Sequence, residues 1–257
     1  MAAPRTRSRA CTPSQLSPVF EVRSREWRWA VDSSEWINGL HLIANGLRHI
    51  AFEQSLQPSS HFRVAREAHL VLYRSMIEAL RGTANLAVTG RLSKVASFRY
   101  QAGNGPWLEI HRQPAPNCRK AWRFSNPTPC VPPMVAGGRQ EASEERLIGF
   151  YEALAMIQTD CFMLHLTISK VVPVDDQSMA ILEWLHEDVR NEYEHFVPKS
   201  YGAAVGELSE AAALCLRLSK DLLFRSGNVL FSPPEEHSRL SSLFESIRDH
   251  DQPLEVM

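Results

Sequence analysis

The sequence has no long apolar run, no paired cysteines and no excess of either charge. A membrane-spanning helix needs about 20 consecutive apolar residues, and no stretch approaches that length. The five cysteines are odd in number, widely spaced and without a CxxC pair, which favours reduced thiols in the cytoplasm over a disulfide framework. A formal net charge of -1 gives no global attraction to nucleic acid or to membranes. We therefore expect a soluble cytoplasmic protein without a signal peptide and without membrane contact.

The motifs of nucleotide cofactors and of the common hydrolases are also missing. The chain contains no GxGxxG, GxxxxGK[ST], HExxH or GxSxG pattern. His111, Cys118 and Cys130 follow none of the spacings of a zinc site, and a fourth ligand is not evident. The sequence predicts neither a cofactor nor a metal.

Helical periodicity dominates most of the remaining sequence. Apolar residues recur at three- and four-residue steps in six segments, which are about 33–54, 60–81, 141–170, 176–197, 206–226 and 236–248. Gly39 and Gly46 are expected to weaken the first helix. Asp175 or Asp176 is expected to cap the fourth segment, and Gly227 to follow the end of the next.

Residues 90–140 interrupt this periodicity. Two short runs rich in β-branched and aromatic residues, 95–100 and 107–112, flank the turn sequence Gly103-Asn104-Gly105-Pro106, which predicts a β-hairpin. Six prolines between 113 and 139 predict a loop of polyproline character that is not part of a packed core.

The predicted fold class is all-α, an antiparallel helical bundle with a small β-hairpin and Pro-rich loop insertion. One helical domain is expected over 19–250, with the insertion at 90–140. Residues 1–18 are rich in Ala, Pro, Ser and Arg and predict a disordered tail, and 251–257 a second tail.

The insertion is basic and aromatic. Between residues 91 and 139, eight Lys and Arg residues stand against Glu109 alone, interleaved with aromatic residues such as Trp107 and Trp122. This combination can bind phosphates and stack bases. It gives five candidate nucleic-acid-binding residues, which are Arg99, Arg112, Arg119, Lys120 and Arg123. The alternative is an exposed hairpin and loop whose aromatic residues pack on the helices.

The end of the fourth helical segment carries the candidate reaction site. Arg190-Asn191-Glu192-Tyr193-Glu194-His195 fits R-N-x-x-x-H and is followed by Phe196-Val197-Pro198-Lys199. This resembles the HEPN superfamily, helical bundles in which an arginine, a polar residue and a histidine a few positions apart mark metal-independent ribonucleases. The ending is also similar to the HF-x-PK of bacterial HEPN-like proteins. The resemblance covers about 60–82 and 141–226, and implies RNA cleavage through Arg190, Asn191 and His195.

The chemistry of such a site suits these residue types. Metal-independent cleavage uses the neighbouring 2′-OH as nucleophile, and His195 has an ordinary pKa suited to moving its proton. Arg190 is suited to stabilising the charge on the phosphate, and Asn191 to orienting the histidine or the phosphate. On a regular helix, however, Arg190 and His195 are about 140° apart. They converge if the helix loosens near His195, or if two subunits of a dimer supply complementary halves.

Other features favour a non-catalytic interpretation. Five acidic residues around the motif would repel a polyanion, and these are Glu183, Glu187, Asp188, Glu192 and Glu194. Many active family members have a tyrosine where this chain has Val197, and an apolar residue where it has Glu194. In this alternative, Arg190 and Glu194 form an ion pair on a solvated face, and His195 interacts with the helix dipole.

Two readings of the whole protein therefore stay open. One is a HEPN-like ribonuclease that acts on RNA. The other is a non-catalytic helical binding or scaffold protein that acts through homodimerisation or contacts with another protein. A second arginine-histidine pair, Arg63 with His69, lies in the second helical segment, and His69 and His165 are predicted to be core histidines.

Overall fold

The computed structural model describes residues 38–81, 88, 97–101, 107–124, 147–164, 166–191 and 202–247. This part of the chain is mostly helical, as predicted. Its helices are α1 (Gly39–Ser55), α2 (His61–Leu80), α3 (Phe150–Met156), α4 (Asp160–Met163), α5 (Asp176–Trp184), α6 (Val205–Lys220) and α7 (Glu235–Ser246). Two of them continue as π-helical segments, α5 into Leu185–Arg190 and α6 into Asp221–Arg225. The predicted tails, 1–18 and 251–257, lie outside the described residues.

Polar side chains set the starts of three helices. The Asn38 side chain accepts a hydrogen bond from the backbone N–H of His41 at 2.8 Å, and Asp175 accepts one from Ser178 at 2.7 Å. Ser60 caps α2 more loosely. Each cap satisfies a backbone donor that the first turn leaves unpaired. The choice left open between Asp175 and Asp176 is thereby settled for Asp175.

Helix α2 is central to the described core. It packs against α1, α3, α6 and both π-helical segments. Gly46 explains how closely α1 approaches it, because a Cβ atom at this position would lie 2.6 Å from Cγ2 of Val71. Gly46 therefore has a packing role that its low helix propensity does not indicate, because a larger residue at this position would push α1 and α2 apart.

The insertion contains a three-stranded antiparallel sheet rather than a hairpin followed by loop. Strands β1 (Ser97–Gln101) and β2 (Trp107–Pro114) pair as the sequence predicts, with Ser97 opposite His111. A third strand, β3 (Trp122–Phe124), pairs with the end of β2, and the periodicity gave no sign of it.

The turn between β2 and β3 corrects the prediction for the Pro-rich segment. The Ala115 N–H donates to the Ala121 carbonyl at 3.1 Å, which closes the turn, and both alanines are 2% exposed. The expectation that 113–139 lies outside any packed core is therefore wrong for this turn. Two small side chains let the backbone pack directly on the helices, and residues 125–139 lie outside the described part.

The long helix predicted over 141–170 is much shorter. Its described part consists of α3 and α4, separated at Ile157–Thr159. The Ile157 carbonyl accepts a hydrogen bond from Val172 instead of continuing a helix, and the Thr159 hydroxyl donates to the Ala155 carbonyl. Ile168 is consequently 66% exposed rather than part of an apolar stripe.

The helices predicted over 176–197, 206–226 and 236–248 are confirmed within the residues that the structure describes. Leu182, Leu185 and Val189 are buried along one face of α5 and its π-helical continuation. After the π-helical end of α6, Gly227 has a φ of +74°, which only glycine adopts readily. Across the described ranges, no helix is long and apolar enough to cross a membrane.

Candidate functional site

The helix that carries the predicted motif changes its winding before the motif begins. Residues Leu185–Arg190 form a π-helical segment, in which hydrogen bonds span five residues instead of four. Such segments are rare in proteins, and those that occur often lie at functional sites. The loosening expected near His195 is thus present one turn earlier, while His195 itself lies outside the described residues.

Arg190 and Asn191 are the two described members of the predicted triad. Both are partly exposed, and the Arg190 guanidinium donates a hydrogen bond to the Asn191 side-chain oxygen at 3.3 Å. The structure therefore brings the proposed stabilising and orienting groups together at the end of the π-helical segment.

The turn between β2 and β3 docks on the same helix, through Glu183 near the end of α5. The Glu183 carboxylate accepts hydrogen bonds from the backbone N–H groups of Arg119 at 2.8 Å and Lys120 at 2.9 Å, with Ala121 more distant at 3.5 Å. Glu183 is 5% exposed. Consecutive backbone donors of this kind form a concave anion-binding turn, here occupied by the protein's own carboxylate.

Side-chain ion pairs extend this docking surface. The Lys120 ammonium contacts the Glu187 carboxylate, which also accepts a hydrogen bond from the Tyr151 hydroxyl at 3.0 Å. Partial burial opposes ionisation of Glu187, but the hydrogen bonds from Lys120 and Tyr151 outweigh it and lower the pKa of Glu187. Burial and the bond to Glu187 raise the pKa of Tyr151 far above its ordinary value. Glu187 is thus held ionised and Tyr151 neutral.

The predicted nucleic-acid-binding residues divide into two groups. Lys120 and Arg123 pair with Glu187 and Asp176, and Arg119 lies 3.9 Å from Asp188. The Arg119 and Lys120 side chains nevertheless remain 80% and 63% exposed.

The other two candidates lie on the two strands of the sequence-predicted hairpin, Arg99 on β1 and Arg112 on β2. Arg99 is opposite Glu109 in the β1–β2 register, and Arg112 is opposite Phe124 in the β2–β3 register. Their side chains are not among those that the structure describes.

A pair of histidines lies beside Arg190, and the sequence did not associate them. Nδ1 of His186 and Nε2 of His69 are 3.0 Å apart, which is a hydrogen bond between residues on the π-helical segment and on α2. The His186 ring stacks on Phe150 with a centroid distance of 4.6 Å and an interplanar angle of 9°. Tyr151 contacts the same ring edge-on. His186 is partly exposed, whereas His69 is 2% exposed.

His69 is held neutral by its surroundings. Burial, followed by the positive charges of His186 and Arg190, lowers the pKa of His69 to about 3. Its Nδ1 atom is buried and makes no hydrogen bond with any described residue. The prediction of a core histidine is confirmed, but only one of its two ring nitrogens is satisfied.

The sequence indicated where each histidine lies, but not that the two are in contact. His69 lies on an apolar helix face, and His186 lies within the segment that carries the motif. Their contact joins residues 117 positions apart, and no local periodicity reports such a contact. The remaining core-histidine prediction, His165, lies outside the described residues.

No group of three or more His, Cys, Asp or Glu side chains in the described ranges could hold a metal ion. Comparisons with protein-family models, with curated proteins and with solved structures found no match to this chain.

Proposed function

We propose that this protein is a HEPN-like helical bundle that cleaves RNA without a metal ion, with Arg190, Asn191 and His195 as its reaction site. Arg190 stabilises the charge that develops on the phosphate, His195 transfers a proton, and Asn191 orients Arg190 through their shared hydrogen bond. Support for the family comes from the R-N-x-x-x-H sequence motif, whose first two residues are helical, in a chain whose described part is mostly helical.

The observation that carries the proposal is the docking of the basic turn on the helix that carries Arg190. This contact holds Arg119 and Lys120 against the helix that carries Arg190, and most of each side chain is exposed. It also offsets two of the five acidic residues that argued against RNA, because Glu183 is buried against backbone donors and Glu187 is paired with Lys120. Arg119 and Lys120 therefore bring positive charge to the helical segment that carries Arg190, which supports an interaction with the phosphates of RNA.

The reaction that fits these groups is transesterification. A base removes the proton of the 2′-OH, and the 2′-oxygen forms a new bond to phosphorus while the bond to the 5′-oxygen breaks. The leaving 5′-oxygen takes up a proton, which gives a 2′,3′-cyclic phosphate and a 5′-hydroxyl. Histidine is suited to the proton transfers near neutral pH, and a guanidinium to the equatorial phosphate oxygens.

The test is cleavage of single-stranded RNA by the purified protein in excess chelator. We expect the wild-type protein to cleave, and His195→Ala to lose about 100-fold or more of the rate. Arg190→Lys is expected to lose about 10-fold or more, because a point charge replaces the donor fork. His49→Ala is the matched control, since His49 is an exposed histidine on α1. Equal rates for the wild-type and His195→Ala proteins, or no cleavage by either, would reject the proposal.

A second candidate is a non-catalytic protein that acts by self-association or by binding another protein. Ile168 and Leu230 favour it, because they are 66% and 67% exposed on segments joined by the Lys170–Ser226 backbone hydrogen bond. Sedimentation analysis of the wild-type protein and of Ile168→Ser tests this function. A dimer that dissociates on substitution supports it, and a wild-type monomer rules out homodimerisation as its basis.

A further inference from the structure

Two loops of the described structure present aliphatic side chains to solvent, and the proposed cleavage chemistry does not use them. Leu166, Ile168 and Leu230 are 51%, 66% and 67% exposed. We propose that these three residues and Lys170, together the Ile168 surface, form a docking site for an acidic amphipathic segment of another protein. The inference does not depend on RNA cleavage, and it specifies the kind of partner that the non-catalytic candidate function would need.

The first step concerns how the two loops are held together. The backbone N–H of Lys170 donates a hydrogen bond to the Ser226 carbonyl at 2.8 Å. The Ser169 hydroxyl donates to the Asn228 side-chain oxygen at 2.5 Å, and the Asn228 amide donates to the Met163 carbonyl at 2.7 Å. Ser169, Ser226 and Asn228 are all buried. Buried hydrogen bonds therefore join the two loops to each other and to the last residue of α4.

A glycine allows the two loops to approach each other closely. A Cβ atom at Gly227 would lie 2.9 Å from the Ile168 carbonyl oxygen and 3.2 Å from the Ile168 Cγ1 atom. The backbone of the second loop thus lies directly against Ile168. Single exposed apolar side chains are ordinary on protein surfaces, but a group of them on joined loops is typical of a binding surface. Because hydrogen bonds already fix these loops, they lose little conformational entropy when a partner binds.

Charge indicates the kind of partner. The two segments 166–170 and 225–231 contain two charged side chains, Lys170 and Arg225, and both are basic. Arg225 pairs with Asp221 at 2.9 Å, whereas Lys170 is exposed and makes no ion pair with any described residue. An apolar surface with a basic rim is complementary to a segment that carries apolar and acidic side chains. A second copy of the same surface would bring like charges together, so binding another protein is favoured over self-association here.

Binding of two model peptides to the full-length protein tests the surface and its charge. Both fluorescent peptides are helical, about 15 residues long, and place leucine at positions i, i+3, i+4 and i+7. The remaining positions are glutamate in the Leu/Glu peptide and lysine in the Leu/Lys peptide. We expect fluorescence anisotropy to show that the Leu/Glu peptide binds at least about 10-fold more tightly than the Leu/Lys peptide.

Substitutions at exposed positions assign the binding to the Ile168 surface. Ile168→Ser is expected to weaken binding of the Leu/Glu peptide about 10-fold or more, because it removes an apolar contact. Lys170→Glu is expected to abolish the preference for the Leu/Glu peptide, and it keeps the backbone hydrogen bond to Ser226. The matched controls are Phe52→Ser and Arg48→Glu, which change exposed residues of α1 and should alter neither affinity.

Three binding results would overturn the inference, which are no binding of the Leu/Glu peptide, equal affinity for the two peptides, and unchanged binding in Ile168→Ser. A wild-type dimer that dissociates in Ile168→Ser would make a second copy the occupant and would also overturn it. Peptide binding by a protein that does not cleave RNA supports the docking site and rejects the ribonuclease. RNA cleavage without peptide binding leaves the ribonuclease and rejects the docking site.

Discussion

The buried histidine pair makes a quantitative prediction for the pH dependence of stability. In the folded protein, burial and the charges of His186 and Arg190 lower the pKa of His69 to about 3, from an ordinary value of 6.5. As the pH falls below 6.5, the unfolded chain therefore binds a proton at His69 that the folded chain does not bind until about pH 3. Because the unfolded state binds more protons, the free energy of unfolding decreases over this range.

The size of the effect follows from linkage. Each pH unit below the unfolded pKa removes about 1.4 kcal/mol, so the loss at His69 reaches about 2 kcal/mol near pH 5. His69→Gln removes this titration while keeping a donor for His186. We expect urea unfolding at about pH 7 and about pH 5 to show a loss in the wild-type protein about 2 kcal/mol larger than in the variant. If both proteins lose the same stability, His69 titrates normally and the buried pair is refuted.

Three further predictions concern packing and the docked turn. Gly46→Ala should destabilise the protein by about 1–3 kcal/mol in urea unfolding, because the new Cβ atom would meet Val71. Gly206→Ala has no heavy atom within 4 Å of the new Cβ and should stabilise the protein by about 0.5–1 kcal/mol. A stability change of the same sign in both variants would contradict the close approach of α1 and α2. Glu183→Gln should lower the free energy of unfolding by about 1–3 kcal/mol, because a side-chain amide cannot accept a hydrogen bond from every N–H of the turn. Glu210→Gln, at an exposed position, is the control, and an equal effect in both variants would argue against the docked turn. Burial and the hydrogen bond to Glu183 raise the pKa of the Cys118 thiol to about 11. A variant with Cys118 as its only cysteine should therefore react with iodoacetamide at neutral pH about 100-fold more slowly than free cysteine. A reaction rate equal to that of free cysteine would contradict this placement of Cys118.

Much of the helical part was accessible from local sequence signals. Regular spacing of apolar residues located α2 and α6, and Asp175 and Gly227 marked ends that the structure confirms. These signals succeed because capping and periodicity act within one turn of the chain.

The errors arose where contacts between distant residues override local pattern. Helix α3 ends early because the Ile157 carbonyl is taken by Val172, and strand β3 forms because it pairs with the end of β2. Ala115 and Ala121 are buried although they lie in a Pro-rich segment, since small side chains allow the turn to reach Glu183. None of these pairings leaves a periodic trace in the sequence.

The candidate site shows the same division. The motif drew attention to Arg190 and Asn191, which are hydrogen-bonded to each other. The acidic residues beside the motif indicated repulsion of RNA, because the sequence alone cannot show that the turn supplies a hydrogen bond to Glu183 and an ion pair to Glu187. The contact between His69 and His186 also depends on how α2 packs against the π-helical segment.

The proposed ribonuclease reaction is tested most directly by the chemistry of the RNA ends after incubation with the purified protein in excess chelator. We expect fragments with 2′,3′-cyclic phosphate and 5′-hydroxyl ends, and no cleavage where the nucleotide 5′ to the scissile phosphate lacks its 2′-OH. Cleavage that leaves 5′-phosphate ends, or that proceeds equally at the 2′-deoxy position, would contradict a reaction at Arg190 and His195 that uses the 2′-oxygen as its nucleophile.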